Sequence, residues 1–419
     1  MKNFSYFCSM KRFVAHIIYY NKTALLCCLL TVVCCLLTGC HDHLVLPDDE
    51  PQPRAEQERT VIVYMAGDNT LTLQVRKDTA EMALAANLIP EDVNFIIYLD
   101  DRLHKPAIYE LSAQNGMKLW KQFDQELCST DPKIMLQTLQ EIERFFPARH
   151  YGLTLWSHAT GWTSRRKTFG EDDNGKTTTT QNEMEIPELH SVLSQLPKTD
   201  YIFFDACFMQ CIEVAYELRD VTDYIIGSPA EIPGPGAPYD KILSALATAD
   251  VQDIVQGYQS AYPGTYDRVY YSGVLLSLID CSKLETLAQA TGQLITPFYM
   301  GKAEPMTSGF QSYCSDWTSK SYLFDMRTTM HQLLSEEDYA AWLTAFQEAV
   351  PLATHSAPDE SGQVTWFAHL CENPRLLNPD CYGGVTMFQP MAKYEAFGLN
   401  LDFQQTAWYR ATGWQATGW

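Results

Sequence analysis

The sequence predicts an α/β fold in which a mostly parallel β-sheet is covered by helices on both faces. Strand-like and helix-like segments alternate along residues 60–227, the order typical of such sheets. The strand-like segments are apolar throughout, as strands buried on both faces are. The 419-residue chain is also 46% hydrophobic, which is enough for a large core.

Each element follows from the spacing of apolar residues and from the turn-forming residues between segments. β-Branched and aromatic runs predict strands, and apolar residues at helical spacing predict helices. The predicted strands are 60–65, 93–99, 151–156, 201–204 and 224–227, and the predicted helices are 71–88, 134–146, 186–196 and 212–218. Further along the chain, 272–279 and 383–389 predict strands, while 282–295 and 336–350 predict helices.

The first 40 residues have the pattern of an export signal. Four basic residues precede or begin an uncharged apolar run at 24–38, and no acidic residue occurs before Asp42. Residues 36–40 resemble a bacterial lipoprotein box, in which Cys40 becomes the lipidated first residue. An uncleaved membrane anchor is the alternative, but the run is shorter than the ~20 residues that a spanning helix needs. We therefore expect a protein of the bacterial cell envelope, held to a membrane through Cys40.

Charge and cysteine spacing exclude two classes of partner. Acidic residues outnumber basic ones by 51 to 30, and nucleic-acid binding needs clustered Lys and Arg that this chain lacks. The seven cysteines after Cys40 follow no zinc-binding spacing. We expect no nucleic-acid partner and no metal ligand set.

Polar residues at the carboxyl ends of strands mark the candidate site, because parallel sheets bind ligands there. His158 follows the strand at 151–156, and Asp205 and Cys207 follow the strand at 201–204. A thiol beside an imidazole is a nucleophile with its base, and the helix after Cys207 would favour the thiolate through its N-terminal N–H groups. The alternative is a core cysteine and a histidine with only local contacts.

Four segments resemble the clostripain family of cysteine peptidases, which are relatives of the caspases and gingipains. They are TVIVYMAGDNTL (60–71), YGLTLWSHATGW (151–162), FFDACFMQCIEVAYELRDV (203–221) and IIGSPAEIPGPGAPYD (225–240). The resemblance implies a caspase-like fold, a protein or peptide substrate, Cys207 as the nucleophile and His158 as the general base. It further implies that Asp205 lines the primary specificity pocket and favours cleavage after Arg or Lys; otherwise Asp205 is a carboxylate that binds backbone amides.

The chain departs from the family pattern at two places. A second acid expected after the next strand has no clear match, although Glu231 and Asp240 are nearby. The residue after the histidine is usually Gly in the relatives and is Ala159 here. Its N–H is implied to hold the oxyanion together with that of Cys207, which alanine can do unless the backbone needs a positive φ.

Two further properties are implied by the resemblance. Self-cleavage between histidine and cysteine would fall at Arg165, Arg166 or Lys167, and an ordinary exposed basic loop is the alternative. Some relatives use calcium, but the acidic run at 171–175 lacks the spacing of a calcium-binding hand. We expect no required cofactor and leave calcium open.

The expected organisation is a signal peptide at 1–39, a flexible tether at 40–58, a catalytic domain at 59–265 and a C-terminal α+β subdomain at 266–419 that adds strands to the same sheet. Two other functions stay open. One is a surface lipoprotein of the same fold that has lost activity and acts as a binding protein. The other is thiol redox chemistry of Cys207 and Cys211, although their spacing is not CxxC.

Overall fold

The structure is a computed structural model, and it describes residues 52–163, 169–175, 182–264, 273–313, 322–358, 360–368, 376 and 379–419. Within it, Pro53–Trp419 is one compact unit. The predicted lipidation site, Cys40, lies outside the described residues, as do Arg165, Arg166 and Lys167. No helix in the described ranges is long and apolar enough to cross a membrane.

The elements alternate as the sequence predicts. The strands are β1 (Gln57–Gly67), β2 (Val93–Asp101), β3 (His104–Ser112), β4 (Gly116–Gln122), β5 (Ala148–Trp156), β6 (Phe169–Asp172), β7 (Asn182–Met184), β8 (Thr199–Asp205), β9 (Thr222–Gly227), β10 (Leu275–Asp280), β11 (Phe324–Asp325), β12 (Leu352–His355) and β13 (Thr386–Met387). The α-helices are α1 (Thr72–Leu84), α2 (Pro132–Phe145), α3 (Ile186–Leu193), α4 (Ile212–Leu218), α5 (Tyr239–Thr248), α6 (Val251–Ala261), α7 (Leu284–Tyr299), α8 (Met326–Leu333), α9 (Glu336–Ala349), α10 (Leu399–Gln405) and α11 (Ala407–Ala411).

Among the described residues, nine strands form the main sheet in the order β12-β10-β9-β8-β5-β1-β2-β3-β4. Its five central strands, from β9 to β2, are parallel. Antiparallel strands extend it on both sides. All five central strands are those that the sequence predicts, so the predicted α/β class with a mostly parallel sheet is confirmed.

Both faces of the sheet are buried, which is why its strands are apolar throughout. Along β1, Ile62 and Tyr64 belong to one core, and Val61 and Val63 belong to the other. The first core packs against α2, α3, α4 and the C-terminal helices, and the second packs against α1, α5 and α6. The prediction of helices on both faces is confirmed.

Two edge features differ from the predictions. The hairpin β3–β4 was not predicted, because β4 carries charged residues such as Lys118 and Lys121 and is not an apolar run. The strand predicted at 383–389 is wrong in extent: only Thr386–Met387 is extended, and it pairs with β11 in a separate two-stranded sheet. Gly384 has a φ of +74°, and the N–H of Phe388 donates to Glu213 Oε1 at 2.8 Å, so neither residue continues a strand.

Candidate active site

The predicted nucleophile and base lie on neighbouring strand ends. β5 and β8 pair in parallel with Trp156 opposite Asp205, and His158 and Cys207 each follow that pair by two residues. Both side chains line one cavity of about 540 Å³ at the carboxyl edge of the sheet. The structure therefore brings together the two residues that the sequence singles out.

The ring of His158 is held by the loop that follows β1. Thr70 Oγ1 lies 2.8 Å from His158 Nε2, and the carbonyl of His158 accepts a hydrogen bond from the N–H of Gly170 at 2.9 Å. With Nε2–H donating to Thr70, Nδ1 keeps the lone pair that a general base needs. Burial lowers the pKa of His158; the charge of Glu171 raises this pKa and that of Arg102 lowers it. A neutral imidazole is the resting form that these influences favour.

Burial of the Cys207 sulfur favours the neutral thiol. Burial raises the pKa of the Cys207 thiol to about 12, and the charges of Glu231 and Asp205 raise it too, against a hydrogen bond from the N–H of Ile232 that lowers it. Burial thus works against the thiolate that the sequence-based argument expects, and that expectation stays a prediction. The following helix, α4, begins at Ile212, five residues beyond Cys207.

The turn after Cys207 is strained and tightly held. Phe208 has a φ of +63°, a left-handed conformation that costs a non-glycine residue roughly 1–2 kcal/mol. Its N–H donates to the carbonyl of Ala230 at 2.9 Å, and the N–H of Gln210 donates to that of Ser228 at 3.0 Å. Strain of this kind is typical of functional sites. Here the end of β9 fixes the turn that presents the thiol to the cavity.

The loop after His158 packs directly on that turn. Gly161 has a φ of +93°, and a Cβ on it would lie 3.3 Å from both Cys211 Sγ and the carbonyl oxygen of Phe208. Only glycine combines that backbone conformation with this close approach at no cost. Gly161 therefore allows the loop after His158 to pack closely on the turn after Cys207.

Ala159 occupies the place where the family usually has glycine. It does not have a positive φ, so alanine is accommodated without backbone strain. It pairs with Phe169 in an isolated antiparallel bridge, in which the N–H of Gly170 bonds the carbonyl of His158. In that pattern the N–H of Ala159 points away from Phe169. Ala159 also lines the cavity, which suits the role implied for its N–H.

Asp205 lines the cavity and also supports the loop at its rim. Its two carboxylate oxygens accept the N–H of Ala237 at 3.1 Å, the hydroxyl of Tyr239 at 3.1 Å and that of Tyr258 at 3.5 Å. Only 3% of Asp205 is exposed, and burial raises its pKa to about 6 despite these donors. Both interpretations of Asp205 from the sequence, pocket acid and backbone-binding acid, thus agree with its position.

Three more acids line the cavity, and the sequence analysis assigned none of them to it. They are Glu171, Glu183 and Glu231, whereas Asp240 is not among the lining residues. No Lys or Arg belongs to the lining within the described part of the chain. Thr70 is likewise not predicted from the sequence, although its position just after the end of a strand could have indicated that it lines the cavity.

The acidic run at 171–175 is engaged mainly with the protein's own donors. Asp172 accepts the N–H groups of Ser129 and Asn174, and Asp173 forms an ion pair with Arg102. In the described ranges, no group of three or more His, Cys, Asp or Glu side chains is arranged to hold a metal ion. The expectation of no required cofactor, with calcium left open, stays a prediction.

Known proteins resemble this chain in both fold and sequence. Residues 63–416 match the clostripain family, peptidase family C11. Clostripain of Hathewaya histolytica is 22% identical over an alignment of 223 residues that covers 45% of this chain and 42% of clostripain, so the match spans less than half of that relative.

Two solved structures resemble this one over nearly their whole length. A secreted C11 cysteine protease from Bacteroides thetaiotaomicron, in complex with an irreversible peptide inhibitor, has a TM-score of 0.70 and 27% identity, covering 86% of this chain and 99% of its own. An inactive zymogen C11 protease from Parabacteroides distasonis has a TM-score of 0.69 and 25% identity with the same coverage. With a family match over most of its length, a caspase-like sheet, and cysteine and histidine on adjacent strand ends, the chain belongs to the clostripain family of cysteine peptidases.

Proposed function

We propose that the protein is an exported cysteine endopeptidase that hydrolyses peptide bonds after Arg or Lys. One observation carries the proposal: Cys207 and His158 share a cavity whose described lining contains four carboxylates and no Lys or Arg. A thiol with a neighbouring imidazole supports nucleophilic catalysis, and the negative lining favours a cationic side chain.

The chemistry follows from the protonation states of the pair. As Cys207 Sγ attacks the carbonyl carbon of the scissile bond, its proton passes to His158 Nδ1. The N–H groups of Ala159 and Cys207 stabilise the oxyanion that forms. The imidazolium then protonates the leaving amine, and a thioester remains on Cys207. Water hydrolyses the thioester with His158 as base, which restores the thiol and releases the second product.

Thr70 keeps the base correctly oriented during both steps. Its hydroxyl accepts Nε2–H, so the proton enters and leaves at Nδ1, on the side of the ring that is not bonded to Thr70. The hydrogen bond becomes charge-assisted when His158 is protonated, and it then stabilises the imidazolium. Thr70 acts through His158 and is a positioning residue.

Recognition of the residue before the scissile bond is assigned to the acids beside Cys207. Asp205 ends β8, and Glu231 precedes Ile232, whose N–H contacts the sulfur at 3.4 Å. A Lys or Arg side chain that enters here meets two carboxylates. Asp205 supplies this role while it also holds Ala237 in place.

Export, anchoring and activation are parts of the proposal that rest on other grounds. The N-terminal pattern ending at Cys40 supports a lipid anchor in the cell envelope, and one structural relative is described as secreted. Another relative is an inactive zymogen, which supports activation by self-cleavage at Arg165, Arg166 or Lys167. The competing function, an inactive binding protein, gains no support from the comparisons.

The test is hydrolysis of fluorogenic peptides that end in Arg, Lys, Asp or Leu by residues 41–419. Cys207→Ala removes the nucleophile, and Cys128→Ala, at another partly buried thiol, is the matched control. We expect turnover after Arg and Lys in the parent and in the control but none in Cys207→Ala. Equal turnover after Leu would refute the proposed specificity, and turnover by Cys207→Ala would refute the mechanism.

Two additions to the same assay test activation and calcium. Intact-mass analysis should show cleavage near residue 166 in the parent and a single chain in Cys207→Ala. An active protein that remains uncut after long incubation would refute self-activation. Turnover in a chelator should equal that with added calcium, since no calcium requirement is expected.

A further inference from the structure

The order of strands places four functional groups in a row along the edge of the sheet. β9, β8, β5 and β1 are consecutive in the sheet, and they are followed by Glu231, Cys207, His158 and Thr70, respectively. Glu171 on β6 lies beside the ends of β1 and β5, because the side-chain amide of Asn69 donates to its carbonyl at 2.8 Å and its own N–H donates to Ser157 Oγ at 3.2 Å. The row therefore begins with one acid on the Cys207 side and ends with another on the His158 side.

Different acids raise the pKa of Cys207 and the pKa of His158. Glu231 and Asp205 act on the pKa of Cys207, and Glu171 acts on that of His158. Together with the strand order, this places carboxylates of the cavity on both sides of the reacting pair.

The two regions also face different layers of the protein. Asp205 bonds Tyr239, which belongs to the core under α5 and α6. Glu171 lies on β6, whose Phe169 belongs to the opposite core. A basic side chain that is held at Asp205 lies toward the second core, under α5 and α6, and leaves Glu171 available to a different part of the substrate.

The direction of proton transfer decides which part of the substrate lies beside Glu171. His158 must protonate the leaving amine, so the leaving portion of the substrate lies on the His158 side of the scissile bond. The first residue of that portion therefore passes beside Glu171.

Glu171 is well placed to recognise a cation. Its backbone is fixed, because its N–H donates to Ser157 Oγ at 3.2 Å and its carbonyl accepts from Asn69. Its carboxylate forms no hydrogen bond or ion pair with any residue that the structure describes, and the side chain is partly exposed to the cavity. By contrast, both oxygens of Asp205 already accept donors of the protein itself.

We propose that Glu171 gives the protein a second basic preference, for Lys or Arg as the residue directly after the scissile bond. The inference rests on the proposed peptidase function and extends it. It makes paired basic residues the substrate class, with the first recognised beside Cys207 and the second beside His158.

The experiment separates the two subsites by substrate. The substrates are internally quenched peptides with Arg before the scissile bond and Arg, Lys, Gln or Glu after it. Mass spectrometry identifies the products, so that cleavage after a second basic residue is counted separately. A fluorogenic amide, in which aminomethylcoumarin follows Arg, has no residue on the leaving side. The variants are Glu171→Gln and, as control for the same chemical change at an exposed site before β2, Glu91→Gln.

We expect kcat/KM for the peptide with Arg after the bond to exceed that with Gln by roughly tenfold, the effect of one charge-assisted hydrogen bond. Glu171→Gln should abolish this ratio, whereas its effect on the fluorogenic amide should be smaller and should shift the acidic limb of the pH profile to lower pH, because the charge of Glu171 raises the pKa of His158. Added salt should reduce the ratio in the parent, because the pair is partly exposed. Glu91→Gln should behave as the parent.

A ratio near one in the parent, or an unchanged ratio in Glu171→Gln, would overturn the inference. A loss that is equally large on the fluorogenic amide would also overturn it, because Glu171 would then act through His158. Failure of the amide itself to be cleaved by the parent would instead refute the proposed function, so the two failures are distinguishable.

Discussion

Replacing Thr70 by valine tests how the base is held. Valine keeps the shape of threonine but removes the oxygen that lies 2.8 Å from His158 Nε2. In the resting enzyme this is a hydrogen bond to a neutral ring, worth about 1 kcal/mol, and in the transition state it is a bond to an imidazolium, worth about 1.5–3 kcal/mol. The difference, about 0.5–2 kcal/mol, is lost only during catalysis.

A loss of that size corresponds to a fall of roughly twofold to thirtyfold in kcat, with little change in KM. The assay is steady-state hydrolysis of an Arg fluorogenic amide by Thr70→Val, with Thr70→Ser as the control that keeps the hydroxyl. In a His158→Ala background, the valine change should have no further effect, since the two residues act as one unit. Unchanged kcat in Thr70→Val, or an equal loss in the His158→Ala background, would show that Thr70 does not act through its hydrogen bond to His158.

Three further predictions follow from the same geometry. In His158→Ala, alkylation of Cys207 by iodoacetamide should accelerate only above the ordinary thiol range, because burial raises the pKa of that thiol to about 12; a plateau near neutral pH would contradict this. Gly161→Ala should lower the free energy of unfolding by about 1–2 kcal/mol more than Gly116→Ala, since both positions have positive φ but only Gly161 has close neighbours. Equal losses in urea titrations would show that the close packing of the two loops at Gly161 adds nothing to stability. Burial raises the pKa of Asp205 to about 6, so its carboxylate gains a proton as pH falls through that value, and benzamidine should bind more weakly at lower pH. In Asp205→Asn the affinity for benzamidine should depend less on pH. The same pH dependence in both proteins would exclude Asp205 from cation binding.

The central fold could be read from the sequence because its strands are buried on both faces. Runs such as those of β1 and β8 are apolar from end to end and stop at polar residues, which marks both the strand and its carboxyl edge. The hairpin β3–β4 could not be recognised in this way. Its strands lie at the edge of the sheet, where charged side chains such as Lys121 interrupt the apolar pattern.

The reacting pair was predictable for the same reason, and its surroundings were not. His158 and Cys207 directly follow strands, so sheet order alone makes them neighbours. Thr70 and Glu171 reach the cavity through loop contacts that connect positions far apart in the sequence. No local pattern marks such contacts.

The helix after Cys207 gives less support to a thiolate than the sequence indicates. The sequence shows a helix after Cys207 but not where it begins, and α4 begins five residues beyond the cysteine. The influence of a helix terminus fades within its first turn. Burial of the sulfur therefore dominates, and it raises the pKa of the thiol.

The most direct test of the account is to find where an activated substrate analogue attaches. The protein is treated with an arginyl peptide acyloxymethyl ketone, which alkylates a catalytic thiol, and the adduct is located by peptide mass spectrometry in the parent and in His158→Ala. The account predicts one adduct, on Cys207, that forms at least 100-fold more slowly without His158, at the lower end of what general base catalysis supplies. An adduct on another cysteine, or labelling of Cys207 at the same rate in both proteins, would contradict it.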